Sequence, residues 1–276
     1  MYVPRGLAGR LRKEKFGLFV YLGLYTVGIV HMLRDMAFFK MAGVRSVIGF
    51  KLSKHLLFRL AQCRYRFFDD EVTRLVKLVN DSGDTPAEIQ WRIPRVPIDS
   101  ISNLDPEENL VAVHTAAKFP VKCWPISKFK RLISELNIQF HPSAIIIVGG
   151  STDPDQRNLL STVKEGNIID LRWRTGFLEL AEVLRRCDLL ITTDSGPAHV
   201  AAAVGTPVVG IYSARDYPNS WHPHGDQHII LRKEVDCQVC MKERCDNMAC
   251  IKMITVEEVL SAAGKVMEYK DAERRV

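Results

Sequence analysis

Apolar and polar positions follow two regimes along the 276 residues. From residue 110 onward, short continuous apolar runs alternate with segments whose apolar residues recur at helical spacing. Leu110-Val111-Ala112-Val113-His114 and Ala144-Ile145-Ile146-Ile147-Val148 are runs of the kind found in strands buried on both faces. The pattern predicts strands over 110–114, 144–148, 167–170 and 207–212, with a further strand opening at Leu189. It predicts helices over 127–136, 155–163, 177–186 and 256–269, and a small-residue helix that stops at Gly205. Before residue 110 the pattern is less regular. It predicts strands over 17–24 and 44–50, a helix ending in Met36-Ala37-Phe38-Phe39, and a helix over 72–79 with Asp69, Asp70 and Glu71 at its favourable end. Alternation over 87–93 predicts one more strand. The run 16–33 is almost free of charge and also fits a signal anchor. It is near the lower length limit for a membrane span and holds Gly, Tyr and His31, so strand plus helix is the preferred reading.

Strands and helices alternating at these lengths imply an α/β fold with a parallel, doubly wound sheet. The Pro- and Asp-rich stretch around Pro94, Pro97, Asp99, Asp105 and Pro106 is the best linker. Two domains are expected, over 1–104 and 105–276. Ligands of such sheets sit at the carboxyl ends of the strands, so three polar loops should share one rim, following His114, Val148 and Thr192.

The third loop reads Thr192-Thr193-Asp194-Ser195-Gly196-Pro197-Ala198-His199. Ser195 suits a helix N-cap, Pro197 a first turn and Gly205 a C-cap. A strand that turns at once into a helix aims backbone N–H groups and a positive dipole end at the rim, a ready anion site. The first loop carries Lys118, Lys122 and Trp124-Pro125; Lys122 can meet a diphosphate and Trp124 can fix the loop. In the second, Gly149-Gly150 allows a ligand close to the backbone, and Asp153 and Asp155 are candidate caps for the next helix.

Composition narrows the class. Hydrophobic residues make up 47% and charged residues 25%, as in a globular protein, and neither repeats nor low-complexity tracts occur. The net charge of +6 is concentrated in Arg5, Arg10, Arg12, Lys13 and Lys15. A basic head can meet anionic lipid or a phosphorylated substrate, or be a solvated face. No nucleic-acid motif is present. Of seven cysteines, Cys63, Cys123 and Cys187 are scattered, which favours a reducing compartment. The other four, Cys237, Cys240, Cys245 and Cys250, have the spacing C-x2-C-x4-C-x4-C. They fit a tetrahedral structural metal, zinc before an iron–sulfur cluster, or four free thiols. Four cysteines leave no open coordination position, so such a metal would be structural.

The stretch from Asp194 to Ala203 followed by Gly205-Thr206-Pro207 resembles the signature of glycosyltransferase family 9, the ADP-heptose:lipopolysaccharide heptosyltransferases and their relatives. Val113-His114 with Lys122-Cys123-Trp124-Pro125, the strand ending in Gly149-Gly150, and the Cys cluster before the last helix are similar to that family too. The resemblance implies a GT-B-like fold of two Rossmann-like domains with parallel sheets. It implies donor binding by Lys122, Asp194, Ser195, Gly196 and His199, with Thr175 beside an adenine pocket, and transfer without a metal cofactor. The implied partners are a nucleotide-sugar donor and a glycolipid acceptor, in the cytoplasm or at the inner face of the membrane. The family's opening strand and Gly-Asp turn, with the acidic residue proposed as acceptor base, have no match in these residues. Asp35 in Arg34-Asp35 does not fit that motif, so no catalytic residue is assigned. An incomplete N-terminal sheet is therefore expected. The resemblance leaves two readings, an inverting transferase of heptose or a related sugar, and a non-catalytic nucleotide-sugar-binding protein.

Overall fold

The structure, a computed structural model, describes residues 7–22, 29–48, 69–79, 89–98, 109–150, 159 and 167–274. The chain divides into two compact units, Met1–Ile89 and Gln90–Val276.

In the second unit the apolar runs form β3 (Leu110–His114), β4 (Ala144–Val148), β5 (Ile168–Asp170), β6 (Leu189–Thr193), β7 (Val208–Tyr212) and β8 (Ile229–Arg232). In chain order the first unit holds β1 and β2, described below. The six strands are parallel and lie in the order β5-β4-β3-β6-β7-β8. This is the doubly wound order 3-2-1-4-5-6. Helices α4 (Ile126–Phe140), α5 (Phe177–Arg186), α6 (Gly196–Ala203), α7 (Ala249–Lys252) and α8 (Val256–Arg274) cover it; α1 to α3 belong to the first unit.

Alternate strand residues feed two cores, as the period of two requires. Val111, Val113, Ile145, Ile147 and Ile191 pack with Phe129, Ile133 and Leu136 of α4 and Val259 and Ala263 of α8. Leu110, Ala112, Ile146, Val148 and Leu190 pack with Val183 and Leu184 of α5 and Ala198 and Ala201 of α6. Small residues in α6 let it lie close on the sheet. Gly205 has φ +85, the left-handed conformation that ends a helix at a glycine.

The first unit has α1 (Leu7–Glu14), β1 (Leu18–Val20), α2 (Ile29–Met41), β2 (Ser46–Ile48) and α3 (Glu71–Val79). Its described strands form a two-stranded parallel sheet. Phe19 stacks on Phe39 with ring centroids 3.6 Å apart. Asp70 caps α3, its Oδ1 accepting from the N–H groups of Val72 and Thr73 at 3.0 and 3.1 Å. Within the run 16–33, the described residues include β1 and the start of α2. Among the described residues no helix is long and apolar enough to cross a membrane.

Some expectations need correction. Residues 89–93 are not a strand. Pro94 and Pro97 follow closely and offer no N–H to a ladder. The carbonyl of Ile93 instead accepts from Arg185 Nη2 at 3.2 Å, and Ile98 sits in the core of the second unit. Residues 87–88, the position 104/105, Cys63, Asp153, Asp155 and most of the expected helix 155–163 lie outside the described residues. Leu159 alone of that helix is described, and it is buried.

Candidate functional site

β3 and β6 are neighbours, and the chain leaves them toward opposite sides of the sheet. Such a topological switch point opens a crevice at the carboxyl ends of the strands. The register pairs His114 with Thr192, so both chains leave the sheet at the same level. Asp194 and Ser195 follow β6, and Lys122 follows β3 in a short 3-10 turn, Pro120–Lys122. Two anchors set that turn. Thr193 Oγ1 donates to the carbonyl of Ala116 at 2.6 Å. Trp124 is buried, and its Nε1 donates to the carbonyl of Ile254 at 3.0 Å.

Lys122 Nζ meets Asp194 Oδ2 at 2.6 Å and Asp216 Oδ2 at 2.8 Å. The three side chains are only 11%, 6% and 13% exposed, so the charges interact in a poorly solvated place. Burial raises the Asp194 carboxyl above its usual range, against the opposing pull of Lys122. His199 is close enough to add to that pull. Tyr212, at the end of β7, has its phenol pushed up by burial and then by Asp194.

Ser195 starts α6 with extended backbone (φ −162, ψ 171), yet its hydroxyl makes no cap bond. Ser195 therefore holds the expected N-cap position, without the side-chain bond. The hydroxyl turns back to the strand end and donates to the carbonyl of Thr193 at 3.0 Å. It also lies 3.2 Å from His114 Nδ1. The first turn of α6, Gly196 included, is thus left with no side-chain cap, and its N–H groups face the rim where an anion is favoured.

His114 is 5% exposed. Its Nδ1 lies 3.0 Å from Thr192 Oγ1, and that hydroxyl donates to the carbonyl of Thr193 at 2.9 Å. His114 Nδ1 thus faces two hydroxyls, each of which also reaches the carbonyl of Thr193. The ring lies against Gly149, which has φ +91; a Cβ there would fall 2.6 Å from His114 Nε2. Glycine is therefore required at this turn both for its backbone and for its lack of a side chain.

Burial pushes His114 from 6.5 down to about 4. The unfolded chain then takes up this proton first as pH falls. Stability should decline as pH falls from about 6.5 toward 4, by a total on the order of 3 kcal/mol. Urea unfolding of the wild type and of His114→Gln near pH 7 and near pH 5 checks this. The variant should show the shallower pH slope, and equal slopes would refute the assignment.

The other expected residues are placed as follows. Thr175 lies between β5 and α5, two strands from β3, and the structure does not bring it to Lys122. On the same loop, half-exposed Trp173 has φ +60, bonds to the carbonyl of Gly149 through its N–H at 2.8 Å, and leaves no room for a Cβ on Gly150. The four cysteines Cys237, Cys240, Cys245 and Cys250 are free thiols. Among the described residues no three His, Cys, Asp or Glu side chains gather to hold a metal, so these residues do not fit the structural metal that is one of the two readings of their spacing. Other contacts shape this segment: Val239 and Met241 donate to the carbonyls of Ala214 and Arg215 at 2.7 and 3.1 Å, and Cys245 Sγ accepts from the Met248 N–H at 3.4 Å.

Asp216, Arg215 and Trp173 were not anticipated. Asp216 had a usable signal, because it follows the carboxyl end of β7, and the strand-end rule that selected the other three loops applies there too. Trp173 follows β5 in the same way.

The described architecture is that of an α/β protein with parallel sheets, GT-B-like, whose second unit gathers Lys122, Asp194, Asp216 and the N-terminus of α6 at its switch point. The chain belongs to the family described as glycosyltransferase family 9 (heptosyltransferase), which matches residues 31–251. Lipopolysaccharide heptosyltransferase 3 of Escherichia coli K12 is 27% identical over 192 residues, covering 68% of this chain and 54% of that protein. The structure of E. coli ADP-heptose lps heptosyltransferase II superposes with a TM-score of 0.63 at 18% identity, over 97% of this chain and 81% of that one. The E. coli heptosyltransferase WaaC, solved with ADP, gives 0.58 at 15% identity, over 95% and 76%. The chain spans about half the length of the curated relatives it matches.

Proposed function

We propose that this chain binds a nucleotide-diphosphate sugar at the switch point of its second unit. The reaction would transfer heptose or a related sugar, with inversion, to a lipopolysaccharide-type glycolipid at the inner face of the membrane. The observation that carries the reading is the meeting of Lys122 with Asp194 at the mouth of the uncapped helix α6. A diphosphate placed there meets an ammonium and backbone N–H groups together. Similarity to WaaC, which was solved with ADP, favours an adenine nucleotide.

In the transfer, an acceptor hydroxyl oxygen would bond to the anomeric carbon as the bond from that carbon to the diphosphate breaks. Negative charge grows on the leaving oxygen. Lys122 and the first turn of α6 would stabilise it without a metal ion, as preorganised electrostatic stabilisation. Ser195, Gly196 and His199 would line the donor side, with Thr175 nearer the base. Acceptance of the hydroxyl proton is not assigned to a residue. Asp35, which does not match the family's motif in sequence, is paired with Arg34 at 2.7 Å.

Calorimetry of the wild-type chain with ADP and an ADP-sugar tests the reading. Saturable binding of one nucleotide per chain is expected, and no binding of either would reject it. Turnover of donor with a lipid acceptor then separates an active transferase from a non-catalytic donor-binding protein.

A further inference from the structure

Lys122 is held by two carboxylates, although binding a diphosphate requires one cation and no competing anions. Asp194 stands at the mouth of α6, where the sugar and phosphates are proposed to lie. Asp216 comes from the exit of β7, and its own fixation is elaborate.

Arg215 holds Asp216. Its Nη1 donates to both carboxylate oxygens of Asp216, at 2.9 and 3.0 Å. The guanidinium is gripped from behind by the Cys-bearing segment. Nε donates to the carbonyl of Lys242 at 2.6 Å and Nη2 to that of Met241 at 2.8 Å. Its Cζ lies 4.8 Å from the ring centroid of Phe119, the residue that caps the Lys122 turn. The same segment reaches that turn directly, since the Val121 N–H donates to the carbonyl of Glu243 at 3.3 Å. Val239 and Met241 have φ +57 and +54, a conformation that costs a non-glycine residue energy. Such strain persists where surrounding contacts demand it, and here those contacts are the bonds to Ala214 and Arg215.

We propose that Asp216 is a positioning residue that holds Lys122 in the empty site and reclaims it from the departing nucleotide diphosphate, and that the Cys-bearing segment serves the donor site by clamping Arg215 behind it. The reclaiming role rests on the donor reading given above. Lys122 exchanges between two anions of similar geometry. A nucleotide that held Lys122 without competition would leave slowly, and Asp216 supplies the competition. The cysteines then need no metal for the segment to matter, because its backbone carbonyls do the holding.

Asp216→Asn in the full chain is the test. The amide keeps the size of the side chain and an oxygen that can accept from Lys122, but it loses the charge. ADP affinity by calorimetry should rise about three- to tenfold, since one repelling charge is removed from a poorly solvated anion site. A merely structural residue would give unchanged or weaker binding, and either result overturns the reclaiming role. A nucleotide-free measurement tests the anchoring. The Tm losses of Lys122→Met and Asp216→Asn should add to more than the loss in the double variant, because the two groups are partners; strict additivity overturns the anchoring. If the wild type binds no ADP while that coupling persists, the donor reading and the reclaiming role fall and the anchoring stands.

Discussion

Lys122→Met should cost about 3 kcal/mol of stability, within the usual range for removing one partner of a buried ion pair. It should also weaken ADP-sugar binding by about 1.5–3 kcal/mol, the size of a charge-assisted hydrogen bond. The first effect comes from what is left behind. Asp194 and Asp216 would remain close together and poorly solvated without their shared ammonium. Asp216 keeps Arg215, so Asp194 carries most of the deficit. Its carboxyl already sits above the usual range because of burial. With Lys122 gone, its folded-state value rises further, and the folded variant binds a proton more readily than the unfolded chain. The deficit relative to wild type should therefore shrink as pH falls from 7 toward 5. Adding Asp194→Asn to Lys122→Met should recover stability without recovering nucleotide binding. Chemical denaturation and calorimetry on the same samples read both. A double variant that loses the sum of the two single losses would show that stranded charge is not the cause.

Trp124→Ala is expected to destabilise the second unit by about 3–5 kcal/mol, the usual cost of emptying a buried aromatic site. Trp124 is 1% exposed. Its ring packs edge-on to Phe129 with centroids 5.0 Å apart, and Lys128 Nζ lies 5.7 Å from it. Its indole N–H ties the loop after β3 to the junction of α7 and α8 at Ile254. Lys128 Nζ also donates to that carbonyl, at 2.8 Å, so truncation leaves the oxygen with a partner and the cost is mainly the cavity. Because Lys122 stands two residues away, nucleotide binding should weaken as well. Trp124→Phe, which keeps much of the volume and loses the N–H, should cost about 1–2 kcal/mol. A urea midpoint for Trp124→Ala close to that of the wild type would contradict the role given to this side chain.

Much of the second unit can be read from its residues alone. The runs Leu110–His114 and Ala144–Val148 are strands with the expected bounds, and Phe177–Arg186 is the expected helix. Continuous β-branched runs, a helical period and glycines at turns are local signals, and here tertiary packing agrees with them. Gly205 after α6 and Pro197 within its first turn belong to the same class. The likeness of Asp194 to Ala203 and of Lys122-Cys123-Trp124-Pro125 to glycosyltransferase family 9 could also be read directly, as could the reason those residues share a rim. Alternating strand and helix places successive strand ends on one edge of a parallel sheet.

Tertiary structure alone decided which strand ends are neighbours. The order β5-β4-β3-β6-β7-β8 brings the exits of β3, β6 and β7 together, so Lys122, Asp194 and Asp216 meet although they lie far apart in the chain. It leaves Thr175 on the loop after β5, two strands from β3. Local rules also failed where a side chain had a choice of partner. Ser195 has the residue type of an N-cap, but His114 and the carbonyl of Thr193 compete for its hydroxyl and win. The cysteine spacing allows a metal cage, yet bonds to Ala214 and Arg215 set the segment in another conformation. Spacing in the sequence determined what these residues could reach. The packing of the sheet, which arranges charges and carbonyls from distant segments in one poorly solvated place, determined what they hold.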